Sequence, residues 1–137
     1  MSMSEGLWLT GLPAFLLHFA LAVLLFGVFT ALYIFVTPYR EISLIRNGNC
    51  AAAASLSGAL LGYCLALSSA ISHSVNVVDM AIWGAIALVV QLIAVVIARL
   101  FVPALFADIP ENKLASGIFL GAISVCFGLL NAACMTY

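Results

Sequence analysis

The stretch GALLG, residues 58–62, places two glycines four positions apart inside a long apolar run. Residues 47–78 contain no Lys, Arg, Asp or Glu, and about 20 apolar residues are enough for a helix to cross the hydrocarbon core of a bilayer. Glycine destabilises an α-helix by about 1 kcal/mol relative to alanine. In a membrane it has a use, because small residues let two helix backbones approach closely. The stretch therefore predicts a transmembrane helix that packs through a glycine-lined face.

The composition indicates that the rest of the chain also lies in a bilayer. Of its 137 residues, 66% are hydrophobic and 7% are charged, whereas a soluble domain carries about 25% charged residues. Three further stretches have no charged residue, namely 6–39, 80–98 and 114–137. We predict an all-α integral membrane protein that forms a single membrane domain over residues 1–137. Its four transmembrane helices, numbered 1 to 4, are expected near 13–36, 50–71, 79–101 and 114–136.

The basic residues predict the orientation of the chain. Arg40 and Arg46 lie between helices 1 and 2, and Arg99 and Lys113 bracket the link between helices 3 and 4. Cytoplasmic loops of membrane proteins carry an excess of Lys and Arg. We therefore expect the links 37–49 and 102–113 to face the cytoplasm, where they could bind protein partners, and both termini to face the other side.

The two halves of the chain are similar when one is shifted by 63 positions. Asn49 then coincides with Asn112, and Gly58 coincides with Gly121. Both asparagines stand just before a predicted helix, where their side chains can cap its free amide groups. The pattern predicts two tandem two-helix repeats related by an axis along the membrane normal. The repeats are expected over about 1–72 and 73–137.

Small residues recur at steps of three and four along helices 2, 3 and 4, so each helix presents them on one face. The glycines expected at helix contacts are Gly58, Gly62, Gly117, Gly121 and Gly128. Such faces either close the four-helix bundle or mate with another copy of the chain. Both interpretations stay open, but three small-residue faces exceed what one small bundle needs. We therefore predict a homo-oligomer.

Three polar side chains within the predicted helices are candidates for a clasp or a polar lining: Gln91, Ser124 and Asn131. Gln91 and Ser124 are near the middle of helices 3 and 4, where they can meet. They either form a structural clasp between helices or line a path for a solute. None of the helices has an Asp, Glu or Lys deep in its span, and proton or ion relays usually require ionisable groups there. A proton-coupled pump is therefore disfavoured.

Metal or redox chemistry has little support in the sequence. His18 and His73 lie near the same face as Glu5 and Asp79 and could share a metal, and imidazole also ligates haem, but their spacing matches no ligand motif. Whether His18 and His73 bind anything is left open. The four cysteines form no CxxC motif and are expected to behave as small apolar residues; they are Cys50, Cys64, Cys126 and Cys134. We expect no enzyme activity, metal, cofactor or nucleic-acid partner.

Five stretches resemble the YjfL-like family of small bacterial inner-membrane proteins, which is defined by a domain of unknown function. They are TPY at 37–39, SGALLGYCLALSSA at 57–70, WGAIALVVQL at 83–92, RLFVPAL at 99–105 and NAACMTY at 131–137. The resemblance implies four helices in two repeats in the bacterial inner membrane, with both termini in the periplasm if the orientation above holds. It also implies gene clusters that encode membrane-stress proteins of the phage-shock type. It brings no established activity and no catalytic residues.

Two functions from different classes follow. We favour a small, non-enzymatic inner-membrane protein that self-associates and acts as a platform in envelope or membrane-stress maintenance. The alternative is a subunit of an oligomeric small-solute or ion channel or transporter, with the pore lined by Gly, Ser, Gln and Asn. A third interpretation, a haem or quinone redox carrier, would show as colour in the purified protein.

Overall fold

The computed structural model describes residues 2–135, and over that range the secondary structure is helical. The six helices are α1 (Met3–Val36), α2 (Glu41–Arg46), α3 (Cys50–His73), α4 (Val77–Phe101), α5 (Leu105–Asp108) and α6 (Leu114–Cys134). Helices α1, α3, α4 and α6 are long and apolar enough to cross a membrane, with 34, 24, 25 and 21 residues. They correspond to predicted helices 1 to 4, so the all-α class with four spans is confirmed. The last position predicted for helix 4, residue 136, lies outside the described residues.

Helix α1 begins at Met3, ten positions before the start predicted near residue 13. A capping box accounts for the earlier start: Ser2 Oγ accepts a hydrogen bond from Glu5 N, and Ser2 N donates to Glu5 Oε2 (2.9 Å). Pro13 is accommodated inside the helix. At about 1.5 Å per residue the helix is roughly 50 Å long, well beyond the hydrocarbon core of about 30 Å. Either its N-terminal turns project beyond the core or the helix is steeply tilted.

Local sequence signals set the ends of the other spans. Thr37 is extended (ψ 135°) before Pro38 and ends α1, as expected for a residue that precedes proline. Gly48 has a φ of 85° and leads into α3, where Asn49 Oδ1 accepts from Ala52 N at 2.8 Å. The predicted Asn49 cap is thus confirmed. The predicted Asn112 cap is wrong, because Lys113 occupies the N-cap position of α6 without a side-chain cap.

Helix α3 is the centre of the bundle and packs most closely against α6. Ala51 faces Gly117, Gly58 faces Gly121, and Gly62 faces Gly128. Residue numbers increase together along both helices, so α3 and α6 run parallel. Helix α4 packs against both of them, and α1 packs against α3 and α4.

An aromatic contact joins α1, α3 and α4. The rings of Phe29 and Tyr63 stack with their centroids 4.4 Å apart, and Tyr63 Oη donates to Gly84 O at 3.0 Å. Both rings are buried. The rest of α1 is largely peripheral, as the 79% exposed side chain of Trp8 illustrates, and in a bilayer such apolar side chains contact lipid.

Candidate functional site

Backbone contact between α3 and α6 forms a glycine seam, which we define as Gly58, Gly62, Gly117, Gly121 and Gly128. All five glycines are buried. A Cβ atom added at Gly58 would overlap the Cα, C and O atoms of Gly121, and one at Gly128 would overlap the backbone of Gly62. The two helices are therefore in direct backbone contact at these positions, because only glycine leaves room for the facing backbone.

Gln91 of α4 reaches the glycine seam at mid-height. Its side chain is 1% exposed. In the amide orientation that satisfies both ends, its nitrogen donates to Ser124 O (3.2 Å) and its oxygen accepts from Gly128 N (3.1 Å). Ser124 and Gly128 are four residues apart, so this amide contacts both ends of one helical turn of α6. The arrangement ties α4 to α6 at mid-height.

The other two candidate polar side chains, Ser124 and Asn131, lie on α6. Ser124 is fully buried, and Asn131 is partly buried. Within residues 2–135, neither Ser124 Oγ nor Asn131 Nδ2 has a hydrogen-bond partner. Ser124 is brought to Gln91 through its backbone carbonyl rather than its hydroxyl, and Asn131 lies about two turns further along the helix.

The links at the end of the bundle where α3 begins are folded together. We refer to residues 37–49 and 102–113 as the cap. Asn49 Nδ2 donates to Ile109 O at 2.9 Å, and Asn112 Oδ1 accepts from Ala51 N at 3.1 Å. Each asparagine therefore joins the two halves of the chain. Asn112 caps α3 across the bundle, from a backbone with a φ of 58°, instead of capping the helix that follows it.

Aromatic and apolar contacts complete the cap. The rings of Tyr39 and Phe106 meet edge to face with centroids 6.2 Å apart. The Arg99 guanidinium lies 4.8 Å from the centre of the Phe106 ring, a cation–π contact. Leu105 and Ile109 are fully buried beneath them. The two links are thus an ordered structure and not free loops.

Glu41, in the first turn of α2, is the most unusual side chain of the cap, and the sequence analysis did not single it out. It is 0% exposed, and neither carboxylate oxygen has a hydrogen-bond partner within residues 2–135. The polar side chains around it define what we call the Glu41 pocket: Tyr33, Thr37, Tyr39, Glu41 and Ser55. The sequence does contain one indication of this burial: the apolar residues of REISLIR, residues 40–46, indicate that this link packs against the bundle.

Burial controls the ionisation of this carboxyl. Removal from water disfavours the anion and raises the pKa of Glu41 from 4.5 to about 8. Thr37 and Tyr39 lie close enough to lower the pKa in part, but the Thr37 hydroxyl donates to the carbonyls of Tyr33 and Ile34 instead. Burial likewise raises the pKa of Tyr39 well above its ordinary value. At neutral pH the pocket therefore holds neutral groups.

The histidines and cysteines are dispersed. His18 Nδ1 donates to Ala14 O (2.7 Å) and His73 Nδ1 donates to Ser69 O (2.9 Å), both within their own helices. Among residues 2–135, no three His, Cys, Asp or Glu side chains lie close enough together to hold a metal ion. The four cysteines are exposed and unlinked.

Comparison with known proteins places this sequence in a family. Residues 7–135 match the family described as Domain of Unknown Function (DUF350). The chain belongs to the DUF350 family. Over 129 residues it is 42% identical to the UPF0719 inner membrane protein YjfL of Escherichia coli (strain K12), a match that covers 94% of this chain and 98% of that protein. This confirms the resemblance to the YjfL-like family.

A second relative is a transmembrane protein of Bacillus subtilis. The chain is 28% identical over 128 residues to the UPF0719 transmembrane protein YshE of Bacillus subtilis (strain 168), covering 92% of this chain and 96% of that protein. No solved structure matches the chain. The relatives are named as membrane proteins and the chain has four apolar helices, so this DUF350 member is a multi-pass membrane protein.

Proposed function

We propose that the protein is a small, non-enzymatic inner-membrane component that self-associates and presents its cap to cytoplasmic proteins, as a platform in envelope maintenance. The observation that carries this proposal is the ordered cap. Asn49 and Asn112 fasten its two links to each other and to α3. Flexible links would lose entropy on binding a partner, whereas a preformed surface avoids that cost.

The platform is tested by placing a photo-crosslinking amino acid at exposed positions of the cap. Ser43 and Ala107 are exposed there, and Val75 is 84% exposed at the opposite end of the bundle. We expect crosslinks to cytoplasmic proteins from positions 43 and 107 in cells, and none to those proteins from position 75. Crosslinks to lipid alone at all three positions would contradict the platform.

Self-association is supported by a groove on the outer side of the glycine seam. This groove of about 460 Å³ is lined by residues of both helices: the small residues Ala54, Ser57, Gly58, Gly121, Ala122 and Cys126, and the larger Leu61, Ile118 and Val125. Because α3 and α6 are so close, their outer faces form one surface on which a helix of a second copy can lie. Small residues favour such contacts between membrane helices.

Cys126 makes self-association testable. We expect a variant with Cys126 as its only cysteine to form a disulfide-linked dimer in membranes under mild oxidant. The control has the same cysteine-free background with Val23→Cys on the exposed side of α1, where Val23 is 53% exposed. Equal crosslinking of the two variants would indicate random collision, and a monomeric mass at several concentrations in nanodiscs would contradict self-association.

The alternative function, a subunit of an oligomeric small-solute or ion channel or transporter, has one observation in its favour. Ser124 Oγ and Asn131 Nδ2 are buried on α6 without hydrogen-bond partners within residues 2–135, so both could serve a polar solute. Flux of ions and small solutes into proteoliposomes tests it. A flux that is abolished by Asn131→Leu would favour the channel. Proteoliposomes that stay impermeable would exclude the channel and favour the platform.

A further inference from the structure

The Glu41 pocket concentrates the unsatisfied polar atoms of the protein. Six buried side-chain polar atoms lack a hydrogen-bond partner within residues 2–135, and four of them are here: both carboxylate oxygens of Glu41 and the hydroxyls of Tyr33 and Tyr39. Leaving a buried donor or acceptor without a partner costs free energy. Four such atoms at one place indicate that the pocket binds an atom or ion that satisfies them.

The charged groups around the pocket show that the bound species must carry a positive charge. Tyr33 faces Glu41 from α1, Thr37 and Tyr39 face it from the cap, and Ser55 lies beside the two tyrosines on α3. None of these groups is a cation. Arg40 and Arg46 on either side of Glu41 are exposed, Arg99 lies on Phe106, and Lys113 pairs with Asp108 and Glu111.

A buried carboxylate without a counter-charge is strongly disfavoured. One bound positive charge removes that penalty, and a proton can bind to the fully buried carboxyl of Glu41 without displacing its neighbours. A protonated carboxyl also has one O–H donor and keeps its acceptor capacity. It can therefore pair with a neighbouring tyrosine hydroxyl as donor and as acceptor.

We propose that the Glu41 pocket is a proton-binding site whose occupancy holds α2 against α1 and α3. On release, the O–H bond of the carboxyl breaks, its electron pair stays on the carboxylate, and the proton passes to water. The route is an open cleft of about 720 Å³ beside the pocket, lined by residues that include Thr37, Pro38, Tyr39 and Glu41. The resulting carboxylate needs water or a cation, so α2 moves away from the bundle to provide it.

The direction of the pH effect follows from the two states of the carboxyl. The docked state keeps the proton up to a pH of about 8, whereas an ordinary glutamate releases it near 4.5. Docking is therefore strongest below pH 4.5, weakens as the pH rises towards 8, and is weakest above that. This inference does not depend on the platform or on self-association, since it concerns one chain.

Infrared spectroscopy of the protein in nanodiscs tests the site directly, because the carbonyl stretch of a protonated carboxyl is separate from that of a carboxylate. The difference between wild type and Glu41→Gln isolates this group, and glutamine mimics the neutral carboxyl, so the variant keeps its fold. We expect a band in wild type that disappears with a midpoint near pH 8. Tyr39→Phe should move the midpoint to higher pH, since Tyr39 favours the anion.

The control is Glu111→Gln, which removes an exposed carboxylate of the cap and should leave the band unchanged. The titration is run in N-methylglucamine, sodium and potassium chloride at one ionic strength. A midpoint that is the same in all three salts supports a proton site. Absence of the band at neutral pH, or a midpoint that depends on sodium or potassium, would overturn the proposal, the latter in favour of an alkali cation.

Discussion

Gly58 and Gly121 touch through their backbones, and this makes the glycine seam sensitive to a single methyl group. A Cβ at Gly58 would overlap backbone atoms of Gly121, which no rotamer change can relieve. Overpacking a well-packed interior costs about 1–3 kcal/mol, against a helix-propensity gain of about 1 kcal/mol for alanine. We predict that Gly58→Ala lowers the free energy of unfolding by up to about 2 kcal/mol, measured in mixed detergent micelles.

Gly27 provides the matched control, since a Cβ there has no atom within 4 Å. Gly27→Ala should be neutral or stabilise α1 by up to about 1 kcal/mol through helix propensity alone. Leu61→Ile, at a position 60% exposed beside Gly62, should change little. Equal behaviour of Gly58→Ala and Gly27→Ala would mean that α3 and α6 are not in backbone contact.

Gln91 also acts at the scale of a single residue. Its amide bridges Ser124 O and Gly128 N, and interhelical hydrogen bonds in membranes are worth about 0.6 kcal/mol, with a maximum near 1.7 kcal/mol. We predict that Gln91→Leu, which keeps the volume, lowers the stability by about 1 kcal/mol in the same unfolding assay. Unchanged stability together with lost solute flux would instead identify Gln91 as part of a path.

At the scale of elements, the cap depends on asparagines that act across the bundle. Asn112 Oδ1 accepts from Ala51 N in the first turn of α3, and the Asn112 backbone has a φ of 58°. Asn112→Gly keeps that backbone accessible and removes the hydrogen bond to Ala51 N, so it should cost about 1 kcal/mol, the net value of one hydrogen bond. Asn112→Ala adds left-handed strain of about 1 kcal/mol. Thermal unfolding should rank wild type, glycine and alanine in that order.

Asn76→Ala gives the comparison for this prediction. Asn76 caps its own helix, α4, by accepting from Asp79 N at 2.8 Å. The loss of stability in Asn76→Ala should therefore be that of a helix cap alone. Any larger loss in Asn112→Ala then measures the backbone strain and the lost contact between the two halves of the chain. If Asn112→Gly matched wild type, the bond to Ala51 would contribute nothing.

The elements also show which features the sequence can predict. Charge-free runs place the spans, and local signals such as Asn49 and Pro38 place their ends, because both depend on neighbouring residues only. The role of Asn112 could not be predicted in this way, since its partner Ala51 is 61 positions away. The burial of Glu41 was missed for the same reason: Tyr33 of α1 faces it only once the helices are packed.

At the scale of the whole molecule, we propose that the chain is built from two repeats, about 1–72 and 73–137. Several contacts support this. Gly58 touches Gly121, and Ser69 Oγ donates to Ala132 O at 2.8 Å, and in each pair the two residues are 63 positions apart. Two parallel helices that are related by an axis between them bring equivalent positions of the two repeats face to face. Such an axis would explain why both contacts join residues that are 63 positions apart.

The orientation of the whole molecule gives the last prediction. The cap end carries all four basic side chains, Arg40, Arg46, Arg99 and Lys113, which favours the cytoplasm. Native cysteines mark both ends: Cys50 begins α3 at the cap, Cys134 ends α6 at the opposite end, and both are exposed. With a membrane-impermeant thiol reagent on spheroplasts, we expect a variant with Cys134 alone to be labelled and one with Cys50 alone to be labelled only after lysis. Labelling in the reverse order would place the cap outside the cell, where cytoplasmic proteins cannot reach it, and the platform would then be untenable.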